Sequence, residues 1–163
     1  MQACKISISV QRENFTVSDE QSALQSGLEP GGASQTPGAI VSFVGLVRDE
    51  QDAEFGALQS LQIEHYPGMT EQALGDICQR AGAQWQLIGC RVVHRVGSIN
   101  SGEQIVLVMT AAAHRGDAFC ACEYIMDYLK TAATFWKKAC YESGARWVAA
   151  QDSDQQRLQR WAK

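Results

Sequence analysis

Nowhere in the 163 residues is there an apolar run long enough to cross a bilayer. The longest candidate, GAIVSFVGLV from Gly38 to Val47, has ten residues and includes Ser42, against roughly 20 for a spanning helix. The opening stretch MQACKISISV lacks the continuous apolar segment and small-residue cleavage site of a secretory signal. These absences predict a cytoplasmic protein without a membrane partner.

Clustered positive charge is missing too. With a formal net charge of -4 and no run of Lys and Arg, the chain has no electrostatic footprint for a phosphate backbone, which excludes nucleic acid as an expected partner. A few converging basic groups could still hold a small anion, because a pocket's potential is local. No C-x-x-C occurs, and Cys4, Cys78, Cys90, Cys120, Cys122 and Cys140 show no disulfide-framework spacing. The lone Cys120-x-Cys122 reads as buried or helix-surface thiols, so no metal is expected. Dinucleotide, P-loop, serine-hydrolase and zinc-protease motifs are absent, as are internal repeats.

What is present suits a globular chain: 45% apolar and 20% charged residues, expected to form one domain over residues 1–163 with a polar tail over 152–163. KISISV alternates Ile6, Ile8 and Val10 as a half-buried strand. A short helix should follow, capped by Ser18 or Asp19 and ended by Gly27, then a loop over EPGGASQTPG. AIVSFVGLV reads as a strand buried on both faces and running into Arg48. LQSLQIEHY forms another, stopped by the Pro67–Gly68 turn, and Thr70 is placed to cap a helix through about Ala81. LIGCRVVHRV and EQIVLVMTAAA, joined by GSINSG, suggest an antiparallel hairpin. Asp117 can cap a helix with Phe119, Cys122, Met126, Leu129 and Ala133 as its apolar stripe, and a strand near ARWVAA precedes a polar helical tail. The class is α+β, a mixed and mainly antiparallel sheet with helices packed on it.

The chemistry centres on MDYLKTAATFWKK, Met126 to Lys138. In one continuous helix, Lys130 and Lys137 would lie within about 20° of the same face. Lysine stems often merely cover apolar surface. Arg48, His114 and Arg115 lie at strand ends or a helix start, where an anion is favoured. If such groups share a pocket, repulsion and burial lower a lysine pKa and equip it for proton transfer.

IEHYPGMT at Ile63 to Thr70, the His114–Arg115 pair, MDYLKTAATFWKK and RWVAAQDSD from Arg146 to Asp154 together resemble the catalytic large subunit family of molybdopterin synthase. The resemblance runs in order along nearly the whole chain. It implies an α/β hammerhead fold and a homodimer, with a small ubiquitin-like sulfur-carrier subunit docked at each end to form a heterotetramer. The carrier's C-terminal Gly-Gly tail, a thiocarboxylate, would donate two sulfurs to cyclic pyranopterin monophosphate and form the molybdopterin dithiolene. No resident cofactor or metal is implied.

By position, Lys130 would face the thiocarboxylate and Lys137 would serve substrate positioning and acid-base work. Arg48, His114 and Arg115 would hold the pterin phosphate, some of them across the dimer interface. Phe43, Met126 and Arg146 would line the pocket, with Leu46, Val47 and Lys138 as further substrate-binding positions. The family's G-K-V-R reads Gly45-Leu46-Val47-Arg48 here, Asp49 and Glu50 add acid, and Ala139 replaces a common acidic residue. Thr134 stands where a proline is frequent, which implies that the helix ends or restarts between Ala132 and Phe135 and that the lysines come from two elements. The rival reading is a noncatalytic module for an anion or a ubiquitin-like partner.

Overall fold

The computed structural model describes residues 3–28, 36–149 and 152–162; most of the expected EPGGASQTPG loop lies outside them. KISISV forms β1, Lys5–Gln11. The first helix, α1, runs Val17–Leu28. It begins earlier than expected: the Asp19 and Glu20 N–H groups both donate to the Thr16 carbonyl, so Ser18 and Asp19 belong to the first turn and Gly27 is internal.

One four-stranded sheet has the order β1-β5-β7-β2, with β2 at Ala39–Leu46, β5 at Gly89–Arg95 and β7 at Gln104–Ala112. Only β1 and β5 are parallel. The central strands are the ones buried on both sides. By contrast β2 is an edge strand that exposes Phe43 and Leu46. A continuous apolar run cannot distinguish a covered strand from an edge strand with an apolar outer side.

Side-chain alternation splits this sheet's core in two. Cys90, Val92 and Val108 face α2 (Met69–Trp85) and α3 (Arg115–Ala132). Val93, Leu107, Met109 and Ala111 face Leu24 and Leu28 of α1. The buried side of α2 carries Leu74, Ile77, Cys78 and Ala81, the period expected of an amphipathic helix. Thr70 does not cap it. Gly68, at φ 86°, holds the cap position, and Glu71 reaches back to accept its N–H at 2.7 Å. In α3 the buried side comprises Ala118, Ala121, Cys122, Ile125, Met126 and Leu129, whereas Phe119 is 62% exposed. His114, rather than Asp117, occupies its cap position.

A second sheet of five strands contains β3 (Gln51–Asp52), β4 (Gly56–His65), β6 (Gly97–Asn100), β8 (Phe135–Tyr141) and β9 (Ala145–Trp147). The expected β5–β7 pairing is present, but GSINSG is more than a turn. Gly97, at φ 85°, redirects the chain so that β6 pairs with β4, which takes a conformation that glycine alone adopts readily.

The tail forms α4, Asp152–Gln159. It is anchored on α3 by the buried Asp127 carboxylate, which accepts the Trp161 Nε1–H at 2.8 Å and lies 3.5 Å from Arg157. Asp127→Ala should therefore destabilise the protein by about 2 kcal/mol, mostly through the abandoned indole N–H and lost packing. Hydrogen exchange should speed up across 152–162 while the β5–β7 core stays protected; uniform acceleration would contradict this local anchoring.

Candidate functional site

The helix that carries Lys130 ends at Ala132, and Ala133 turns the backbone to φ -80°, ψ 136°. Phe135 then begins β8. The two lysines thus come from different elements, as the proline argument implies, the second being a strand. Lys130 occupies the last turn of α3, where a cation complements the helix dipole. Its side chain is half exposed and its Nζ lies 3.8 Å from Asp154 Oδ1 of α4.

Lys137 is opposite Ile63 in the β4–β8 register. Alternation directs it away from Trp136 and Lys138. Lys138 instead lies over the Trp147 ring at 5.8 Å, so the adjacent lysines serve opposite sides of one strand. Burial lowers the Lys137 pKa, the Lys130 charge lowers it further, and Asp154 partly opposes both. Lys130, Lys137 and Asp154 therefore form one electrostatic cluster.

Beside this cluster is His94, a polar interruption in the apolar run of β5. Its ring stacks on Phe135 at 3.8 Å and 16°. Nδ1 is 2.8 Å from the Arg95 carbonyl, an acceptor only, so that nitrogen carries the hydrogen. Burial, reinforced by the Lys137 charge, pushes its pKa from 6.5 down to about 3, against the opposing backbone hydrogen bond. Between these two values the unfolded chain binds the extra proton, so stability must fall as the solution is acidified. At pH 5 the expected loss is about 2 kcal/mol. Urea unfolding at pH 7 and pH 5 should show it, and His94→Gln should flatten the dependence; an equal slope in the variant would remove His94 as its source.

The remaining sequence candidates divide by location. Met126 is buried one turn before Lys130. The contacts of α3 follow β7 backwards: Thr110 Oγ1 donates to the Ala118 carbonyl and Cys122 Sγ lies 3.8 Å from the Val108 carbonyl. The Lys130 end of α3 is therefore the end where Leu46 pairs Gln104 and Arg48 follows β2. Leu46 is exposed, whereas Val47 is a core residue whose N–H and carbonyl are taken by Glu103 and Gly102. Phe43 stands opposite Val108 in mid-strand.

His114 and Arg115 lie at the far end of α3. Fifteen residues separate Arg115 from Lys130, about 22 Å at 1.5 Å per residue, so one chain does not bring them to the lysine pair. Arg146 is also elsewhere: it donates to Asp52 at 3.0 Å and Glu54 at 2.7 Å and covers the Phe55 ring. Its charge is compensated in this arrangement. Among the described residues no three His, Cys, Asp or Glu side chains are grouped to hold a metal, and no helix is long and apolar enough to cross a membrane. Sequence reasoning overlooked Asp154, hidden in a polar tail, and His94, whose only signal was a titratable group inside an apolar strand.

The family model described as MoaE protein matches residues 10–132. The molybdopterin synthase catalytic subunit of Vibrio cholerae is 49% identical over 154 residues, covering 94% of this chain and 97% of that one. A solved molybdopterin biosynthesis MoaE protein from Burkholderia ambifaria superposes with a TM-score of 0.78 at 44% identity, over 97% of this chain and 99% of that chain. Molybdopterin synthase from Staphylococcus aureus gives 0.72 at 27% identity, over 91% and 98% respectively.

Proposed function

This chain belongs to the MoaE protein family, and we propose that its paired lysines, Lys130 and Lys137, carry the sulfur transfer of a molybdopterin synthase catalytic subunit. The supporting observation is the cluster at the α3–β8 junction: one accessible ammonium beside a second whose proton affinity burial has lowered. A carrier thiocarboxylate and a pterin phosphate are both anions, and fixed cations offset their repulsion when they are brought together.

The partner is a small ubiquitin-like carrier whose C-terminal Gly-Gly tail ends in the thiocarboxylate, and the acceptor is cyclic pyranopterin monophosphate. Each transfer forms a carbon–sulfur bond on the pterin side chain in place of a carbon–oxygen bond there, and breaks the acyl–sulfur bond of one carrier, whose acyl carbon takes an oxygen from water and leaves as a carboxylate. A dithiolene therefore consumes two carriers. Lys130 steers the tail, and Lys137 positions substrate and moves protons. Arg48 adds charge at the same end of the layer. His114 and Arg115, about 22 Å away along their own helix, are assigned to the phosphate subsite of the other protomer in a homodimer. Phe43 and Met126 supply apolar lining.

The sulfur arrives on the carrier, so the reaction draws on no resident metal or cofactor. All six cysteines are free, which suits the reducing cytoplasm in which we place the reaction. Mixing purified protein with thiocarboxylated carrier and cyclic pyranopterin monophosphate should yield dithiolene with two carriers consumed per product. No product under these conditions would overturn the reading.

A further inference from the structure

Thr70 is fully buried at the start of α2, yet it does not cap that helix. Its hydroxyl reaches out of its own segment. The Tyr66 N–H lies 3.0 Å from Thr70 Oγ1, the Thr134 carbonyl 3.1 Å and the Thr134 hydroxyl 2.8 Å. One donor assignment satisfies all three: Thr70 O–H donates to the Thr134 carbonyl, while Tyr66 N–H and Thr134 O–H donate to Thr70 Oγ1. A hydroxyl has one proton and two lone pairs, so its capacity is filled.

Thr134 sits between the C-cap Ala133 and the first β8 residue, Phe135. It is thus the joint between the two lysines. Phe135 is secured by the His94 stack and by its register partner His65, and the hydroxyl network secures the residue before it. The network also unites IEHYPGMT with MDYLKTAATFWKK, two segments 64 residues apart at the bonded positions. In this chain two hydroxyls hold the joint.

We infer that Thr70 and Thr134 are positioning residues for sulfur transfer, holding the α3–β8 joint so that Lys130 and Lys137 face one substrate. This inference rests on the function proposed above. The groups around Lys137 are Lys130 from α3, Asp154 from α4 and His94 from β5, and a looser joint changes its distance from all three and from solvent.

The test uses the full chain with carrier and pterin. Thr70→Val keeps the shape and removes the hydroxyl. It should lower kcat on the order of 10- to 100-fold, with little change in KM for the carrier, because misplacement affects chemistry more than docking. Thr70→Ser should restore most of the activity. Thr134→Val supplies a second variant at a partly exposed site. Thr134→Pro should retain activity, because extended Ala133 already has the backbone that a following proline requires.

NMR of 13C-dimethylated lysines, without substrate, should show the Lys137 titration moving in Thr70→Val and returning in Thr70→Ser. An unchanged kcat and titration in both valine variants would overturn the inference. So would a kcat loss that serine fails to rescue while melting temperature recovers. If Lys130→Ala and Lys137→Ala kept full turnover, the proposed function would fall, whereas the lysine titrations would still decide whether the joint positions these amines.

Discussion

Lys130→Ala is expected to reduce dithiolene formation at least on the order of 1000-fold, the scale reached when a preorganised charge is removed from a reacting anion. The fold should survive. The side chain is half exposed, and its ion pair with Asp154 at 3.8 Å belongs to a class that contributes about 0–1 kcal/mol. A structural role therefore predicts almost no change, while the catalytic role predicts near-complete loss at an unchanged melting temperature. Those outcomes are far enough apart for one assay. Lys130→Arg refines the result: arginine keeps the charge but is bulkier and does not release a proton near neutrality. Recovery of carrier affinity without recovery of kcat would separate steering from proton transfer. Full turnover by Lys130→Ala would instead remove Lys130 from the groups that carry the reaction.

The relation between sequence and site follows from the range of each physical signal. Alternation in KISISV and the 3.6-residue period of α2 are local, and both elements are present. The edge position of β2 is not local: AIVSFVGLV has the same apolar pattern whether or not another strand covers it. GSINSG reads as a turn because β6 derives its strand character from pairing with β4, a segment more than thirty residues earlier. Phe119 occupies a helical position that appeared apolar by composition, but the inward direction of α3 is set by Ala118, Cys122 and Ile125.

In the candidate site, residue types were legible while distances were not. Lys130 and Lys137 converge because the helix stops between them, a break implied by the family's proline and absent from the propensities of Thr131, Ala132 and Ala133. His114 and Arg115 share a helix with Lys130 and are consequently kept apart from it by helix length. Thr70 illustrates the remaining difficulty. A threonine just beyond Pro-Gly resembles a helix cap, and only the folded chain reveals that its partner is Thr134.

Lys137→Met should lose activity on the order of 100- to 10000-fold, the usual scale for a positioned proton-transfer group. Its stability should change in the opposite sense. Because burial and Lys130 hold the folded-state pKa of Lys137 below 10.5, the unfolded chain binds more protons between the lowered value and 10.5. Stability consequently rises with pH through that window, and below it the charged lysine opposes folding. Methionine keeps the apolar stem without the charge, so Lys137→Met should be more stable than the parent at pH 7 and lack this slope. The same electrostatics set the direction of the pH–rate profile. If the neutral amine accepts a proton, activity rises as pH climbs through the Lys137 pKa. Asp154 raises that pKa, so Asp154→Asn should move the rising limb to lower pH while its maximum changes little. A limb unmoved in Asp154→Asn, together with turnover retained in Lys137→Met, would eliminate Lys137 as the proton-transfer group and leave Lys130 alone at the α3–β8 junction.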